Sequence, residues 1–289
     1  MSERRQGILA AVISNVIWGF LPLYWHALRP IESSVLIFYR IVLSAVVCWF
    51  LARRKYTREE LTAPLKDRRL FLKLLAAGVL ITLNWSLYIW AVNADHAIET
   101  SIGYYIEPVV VCLFGVLVFH DKLNRWKAWA FAIAAAGVAV IVLYYRSLPL
   151  ISLGLALSFS LYGAMKKGLN QPALLSFFYE TVLLSPFALI VILWLEATGR
   201  GAFAMAISPW QIALLALAGI CTATPLILFG ESANKAGLFA TGLIGYLSPT
   251  ITLFLSIFVF HEPFELVQFA AFAIIWVGLG FFTYGELKE

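Results

Sequence analysis

An all-α integral membrane protein, built as two inverted repeats of five transmembrane helices around a central cavity, is the fold class this sequence predicts. Three observations lead there. The 289 residues are 62% hydrophobic and only 13% charged, too little polar surface for a water-soluble globule. Apolar stretches of about 20 residues, the length that crosses the hydrocarbon of a bilayer, recur along the whole chain. Motifs of the first half return in the second at a nearly constant offset, which is the mark of internal duplication.

Ten spans are predicted, over about 7–27, 33–51, 70–92, 96–119, 126–145, 149–165, 173–195, 208–230, 236–260 and 266–284, the sixth being the weakest. Lysine and arginine set the orientation. With the N-terminus in the cytoplasm, sixteen of them, from Arg4 to Lys288, fall on the inner side, and only Arg29, Arg146 and Arg200 fall outside. Both termini are therefore expected in the cytoplasm and the protein in the cytoplasmic (inner) membrane. Arg4 and Arg5 directly precede a full-length span, so the start reads as an uncleaved anchor and not as a signal peptide. In the one sizeable loop, residues 52–69, the run Thr57-Arg58-Glu59-Glu60 has the capping-box pattern that starts a short surface helix. The net charge of +5 follows from this inside bias, and nucleic acid is not expected as a partner. Cys48, Cys112 and Cys221 lie far apart in apolar spans without metal-ligand spacing, so neither a disulfide, a metal nor a cofactor is expected.

The duplication is specific. Phe38-Tyr39-Arg40-Ile41-Val42-Leu43 resembles Phe178-Tyr179-Glu180-Thr181-Val182-Leu183 at an offset of 140. Tyr105-x-x-Pro108 and Phe119-His120-Asp121 return as Tyr246-x-x-Pro249 and Phe260-His261-Glu262 at 141, an offset shared by Gly78 and Gly219, Asn93 and Asn234, and Gly137 and Gly278. Residues 1–146 and 147–289 thus form two five-span units. Because five is odd, the second must run opposite to the first, a transporter architecture with its binding site near the midplane where the halves meet.

Glu107 lies near the middle of span four beside Pro108, and shares a face with Glu99 and Gly103. A carboxylate at that depth needs protein or water beside it, so Glu107 is expected either to line a cavity, taking up a proton or meeting a solute, or to be a buried partner of Arg40 or of a tyrosine hydroxyl. Arg40 and Glu180 should occupy opposite leaflets. Arg40 is therefore expected to find Glu99 or Glu107, and Glu180 to reach Lys166 or Lys167. Asn15, Trp18, Asn84, Trp85, Tyr88, Tyr246 and Ser248 are the expected aromatic and polar lining, suited to cations over ring faces or to flat molecules. Trp25, Trp90 and Trp126 read as interface anchors. Pro108 and Pro249 are expected bending points. Ala128, Ala132 and Ala136, with Ala271, Ala273 and Gly278, form small-residue stripes for helix packing, within one chain or between two copies through spans five and ten.

The run Asn84-Trp85-x-x-Tyr88-Ile89-Trp90-Ala91-Val92-Asn93, followed by Glu99-Thr100-Ser101-Ile102-Gly103-Tyr104-Tyr105-Ile106-Glu107-Pro108, resembles the signature region of RarD-type transporters of the EamA group in the drug/metabolite transporter superfamily. Trp18-Gly19, Tyr39-Arg40, Tyr162-Gly163, Lys166-Lys167, Glu180-Thr181, Thr224-Pro225 and Tyr246-Leu247-Ser248-Pro249 extend that resemblance over the whole chain. It implies two EamA repeats, a central cavity and export of small organic solutes: amino-acid-like metabolites, or amphipathic or cationic drugs. The RarD pattern usually has Asn where this chain carries Glu107, and the added carboxylate is expected to favour cationic or zwitterionic solutes. Alternating access with Glu107, Arg40, Glu99, Glu180, Pro108 and Pro249 as coupling or gating residues, and a proton as coupling ion, is the resulting expectation. The alternatives are a cation-selective uniporter or importer, and a membrane sensor or assembly subunit. The histidines His26, His96, His120 and His261 fall at span ends and no HExxH or GxSxG pattern is present, so an enzyme is not expected.

Overall fold

In the computed structural model the described residues are 2–94, 96–146, 150–205, 207–261 and 265–288, with the side chains at 92, 93, 97 and 98 left aside. The echo at Glu262 and the side chain of Asn93 therefore lie outside the described residues. The helices are α1 (Glu3–Ala27), α2 (Ser33–Lys55), α3 (Arg58–Lys66), α4 (Arg68–Asn93), α5 (Ala97–Leu117), α6 (Arg125–Tyr145), α7 (Leu150–Leu169), α8 (Ala173–Ala197), α9 (Pro209–Lys235), α10 (Leu238–Gly245), α11 (Leu247–Phe258) and α12 (Leu266–Leu287). No strand occurs among the described residues.

Nine segments of the described residues are long and apolar enough to cross a membrane, with α10 and α11 counted as one. The protein is a multi-pass membrane protein. The helix α7 is also 20 residues long but falls short on composition, because Lys166, Lys167 and three serines lower its apolar character. Large apolar side chains such as Leu83, Trp129, Phe187, Ile190 and Leu193 are more than half exposed, as expected where lipid is the solvent.

Local chemistry explains the helix ends. The Thr57 hydroxyl accepts from the Glu60 N–H at 3.3 Å while the Glu60 carboxylate accepts from the Thr57 N–H at 2.8 Å, so the capping box at the start of α3 is complete. Asp67 caps α4 and Asn124 caps α6. The ninth predicted span is broken at Tyr246, between α10 and α11. Pro249 has no N–H to give to the Gly245 carbonyl, and the ladder resumes only with Thr250 N–H to Tyr246 at 3.1 Å. Pro108, by contrast, sits inside an unbroken α5.

The most extensive helix pairings are α6 with α12, α5 with α7, α2 with α8, and α1 with α9. Each joins a helix before residue 147 to one after it. Neither half has a core of its own, and burial of one is the packing of the other. Glycines allow the closest approaches: a Cβ on Gly78 would lie 2.8 Å from the Glu180 carbonyl, and one on Gly219 would lie 2.4 Å from that of Leu43. The α6 and α12 pair meets through Ala130, Ala134 and Gly137 against Ala271 and Gly278. The stripe of Ala128, Ala132 and Ala136 does not take part and faces outward. Its expected packing role inside the chain is corrected here, since Gly137 turns the adjacent face of α6 to α12.

At the end of the bundle that holds the N-terminus, charge ties the helices together. Arg4 and the buried Lys127 both contact the Glu286 carboxylate, at 2.5 and 3.0 Å, which joins α1, α6 and α12. Lys167 pairs with Asp121 at 2.5 Å, and the other Asp121 oxygen accepts the Phe239 N–H at 2.9 Å in the first turn of α10.

Candidate functional site

Arg40 stands seven residues, about 10 Å, into α2. The sequence pairs it with Glu99 or Glu107, and the structure corrects this. Glu99 is taken by His96 at 2.9 Å near the start of α5, and Arg40 has no carboxylate within ion-pair distance among the described residues. Its guanidinium lies instead over the indole faces of Trp25 and Trp85, 4.6 Å from each ring centroid, and its Nε–H donates to the buried Thr222 hydroxyl at 3.0 Å. Four helices, α1, α2, α4 and α9, converge there. Cation–π contact partly replaces the hydration that the charge loses on burial.

The other nitrogens of Arg40 have no acceptor among the described residues. The single buried polar side-chain atom there that lacks a partner is the Tyr56 hydroxyl, so these nitrogens lie on accessible surface. Tyr24, Tyr88, Tyr104 and Cys221 stand within electrostatic range of the guanidinium. The Tyr24 hydroxyl is committed to the Leu214 carbonyl at 2.5 Å. Tyr88 and Tyr104 have ring centroids 5.7 Å apart and are 36% and 42% exposed. Two partly open rings thus stand near a charge where four helices meet.

Glu107 lies three residues beyond Tyr104 on α5, about 15 Å from the start of that helix and so near its middle. Its carboxylate has no hydrogen-bond or ion-pair partner among the described residues, and by the same reasoning as for Arg40 its oxygens reach accessible space. The Tyr104 and Tyr246 hydroxyls are its titratable neighbours. Only its backbone carbonyl is engaged, by Ser160 at 3.4 Å.

Glu180 has the opposite surroundings. Lys166 Nζ and the Ser176 hydroxyl donate to one oxygen at 2.8 and 2.7 Å, the Tyr162 hydroxyl donates to the other at 2.8 Å, and both charged side chains are about 2% exposed or less. Below the Arg40 level, Trp18 meets Phe159 and Phe229, each at 5.8 Å between centroids, and Phe229 stacks on Tyr162 at 6.5 Å, an aromatic layer that joins α1, α7 and α9.

The remaining sequence-derived candidates divide. Trp85 and Tyr88 lie near Arg40, Glu107 lies near Tyr104, and Trp18 belongs to the aromatic layer with Phe159 and Phe229. Asn15 is buried and bonds to the Ala11 carbonyl in its own helix at 2.9 Å. Asn84 clamps α4 to α7 through the Leu155 carbonyl at 3.0 Å and Ser158 at 2.8 Å. Gly103 is where α5 meets Ser152 and Leu155 of α7. Tyr246 is fully buried and donates to the Tyr105 carbonyl at 3.0 Å, so it braces the break after α10. Ser248 and Pro249 are half-buried at the start of α11. Residues that sequence reasoning missed are Trp25, read as an interface anchor, and Thr222. The signal for Trp25 was its place one turn after Pro22 on the helix that carries Trp18; for Thr222 no sequence signal exists.

Comparison with known proteins fits this picture. Residues 5–143 match the EamA-like transporter family. Over 99% of this chain, and 96% and 91% of theirs, it is 39% identical to the uncharacterized transporter YojE of Bacillus subtilis (strain 168) and 38% identical to protein RarD of Streptomyces exfoliatus. It is 32% identical to protein RarD of Escherichia coli (strain K12), over 97% of this chain and 95% of that one. A protein of known crystal structure superposes with a TM-score of 0.70 over 96% of this chain and 97% of its own at 16% identity, a likeness of fold alone.

Proposed function

Because this chain belongs to the EamA-like transporter family, we propose that it is a secondary transporter that moves small organic solutes across the cytoplasmic membrane by alternating access, in the direction of export. The observation that carries the reading is a pair of unpaired charges of opposite sign, Arg40 and Glu107, both reaching accessible space inside a helical bundle. Unpaired charges at such depth are costly and mark solute or ion pathways. A membrane sensor or assembly subunit has no use for them.

The finer architecture belongs to the same proposal: ten spans with α7 as the sixth, inverted halves that divide near residue 146, and both termini in the cytoplasm. The pairing of helices supports it. Exchange of each span for its counterpart five places on turns α1 with α9 into α7 with α4, and α5 with α7 into the α10–α11 span with α1, all of which are contacts of this structure. The aromatic layer around Phe229 and the Lys167–Asp121 bridge close the N-terminal side, while Tyr88 and Tyr104 stay open, which supports a state facing the outer side. The break before Pro249 gives α10–α11 a hinge. The outward stripe on α6 is the surface through which two copies would meet.

Glu107 is assigned as the proton-coupling group, with Tyr104 and Tyr246 facing it. In proteoliposomes, Glu107→Gln should abolish the response of transport to an imposed proton gradient. An unchanged response in that variant removes Glu107 from the coupling role.

A further inference from the structure

We propose that the transported solute carries a carboxylate, received edge-on by Arg40, on a flat apolar or aromatic body; this deepens the transporter reading above and rests on it. A guanidinium presents five N–H donors in a rigid plane that matches a carboxylate bidentately. At Arg40 a single one, Nε–H, is used among the described residues, for Thr222 at 3.0 Å. That bond fixes the plane, and the indoles of Trp25 and Trp85 hold the charge in place at 4.6 Å, while the Nη edge stays on accessible surface. A structural arginine would be expected to have what Lys166 has, which is a carboxylate and two hydroxyls sealed around the charge pair. Arg40 instead has its plane oriented and its charge uncompensated, the preorganisation that a binding site needs.

The surroundings complete the match. Tyr88 and Tyr104, whose hydroxyls donate to no acceptor among the described residues, add two donors and a half-open aromatic wall beside the guanidinium. Ring stacking there suits the body of an aromatic acid. A permanently cationic compound would meet the guanidinium as a like charge, so quaternary ammonium ions are disfavoured beside Arg40.

The test uses the full-length protein in detergent and in proteoliposomes, with 3-phenylpropanoate, phenylalanine, phenylalanine amide, phenethylammonium and inorganic phosphate as probes. The two acids should bind more tightly than the amide and the ammonium, on the order of ten- to a hundredfold for a charge-assisted pair, and phosphate should not match them. Arg40→Gln should remove the preference, and Arg40→Lys, which keeps the charge but not the fork, should retain part of it. Thr222→Val provides a variant that leaves Arg40 in place; weaker acid binding at unchanged thermal stability is expected. The proposal is overturned if the amide and the ammonium bind wild type as well as the acids do, if Arg40→Gln leaves the preference intact, if phosphate binds as tightly as the acids, or if no probe binds. Transport of the neutral or cationic probes without the acids would sink the carboxylate and leave the transporter standing. Loss of the transporter reading has a separate sign, the absence of any protein-dependent flux across the whole panel.

Discussion

Arg40 and Glu180 occupy equivalent places in the duplicated motif, Tyr39-Arg40 and Tyr179-Glu180, yet the protein treats them in opposite ways. Glu180 is sealed with Lys166, Ser176 and Tyr162 into a network in which each carboxylate oxygen has a donor. Arg40 has one hydrogen bond among the described residues, and its other nitrogens lie on accessible surface. Two similar stretches of sequence thus carry one charge that is closed into a network and one that has a single hydrogen bond among the described residues. Similar sequence surroundings therefore do not fix how completely a buried charge is hydrogen-bonded.

The comparison is broken most severely at the sealed end. Lys166→Ala leaves Glu180 buried and unpaired, and should lower stability by about 3–5 kcal/mol, whereas joint replacement by Lys166→Met and Glu180→Leu should recover most of it. Thermal unfolding in detergent separates the two outcomes; equal losses for the single and the double variant would mean that the pair is not what holds α7 to α8. Next in size are the two glycines that bring the helices of each centre together. Gly219→Ala, whose Cβ would lie 2.4 Å from the Leu43 carbonyl, and Gly78→Ala, at 2.8 Å from the Glu180 carbonyl, should each cost about 1–3 kcal/mol through displaced backbone. A cost confined to one of them would show that the two interfaces are not alike.

At the open end the balance reverses. Arg40→Gln gives up two cation–π contacts and should change stability by only about 1 kcal/mol, but it should abolish solute flux in proteoliposomes. A fall in stability as large as that of Lys166→Ala would reclassify Arg40 as structural. The smallest effect lies outside both centres and gives a baseline. At the start of α3, hydrogen bonds from the Thr57 backbone and hydroxyl hold the Glu60 carboxyl below its ordinary range. A carboxylate so held stabilises the helix above its ordinary range, and this contribution disappears as the pH falls through the lowered value. Amide exchange in α3 should therefore quicken at acid pH in the wild type, and Thr57→Ala should cost about 1 kcal/mol of local stability and weaken the pH dependence without abolishing it, because the backbone N–H of residue 57 still donates to Glu60.

Much of this was legible from short stretches of chain. The capping box at Thr57 and the break ahead of Pro249 depend on residues within one or a few turns, where spacing along a helix dictates who meets whom, and the reach of Lys166 to Glu180 spans only the short connection between α7 and α8. The surroundings of Arg40 were not legible, because Trp25, Trp85 and Thr222 come from three different helices, and opposite charges suggested Glu99 or Glu107 as partner instead. Tyr246 looked like lining because its motif repeats that of Tyr105; only the packing of α10 on α5 buries its hydroxyl against the Tyr105 carbonyl. The stripe of Ala128, Ala132 and Ala136 has the right spacing for a packed face, but the helix is turned the other way.

The sequence by itself determined that the chain lives in lipid, how its apolar segments are spaced, and where individual helices start and bend. These properties are set by composition and by neighbours a few residues apart. Tertiary structure alone decided the surroundings of Arg40, which the sequence had paired with a carboxylate. A hydrogen bond or a ring contact between helices depends on rotation and depth to within about an ångström, and in this protein the helices that meet at each centre are drawn from both halves of the chain.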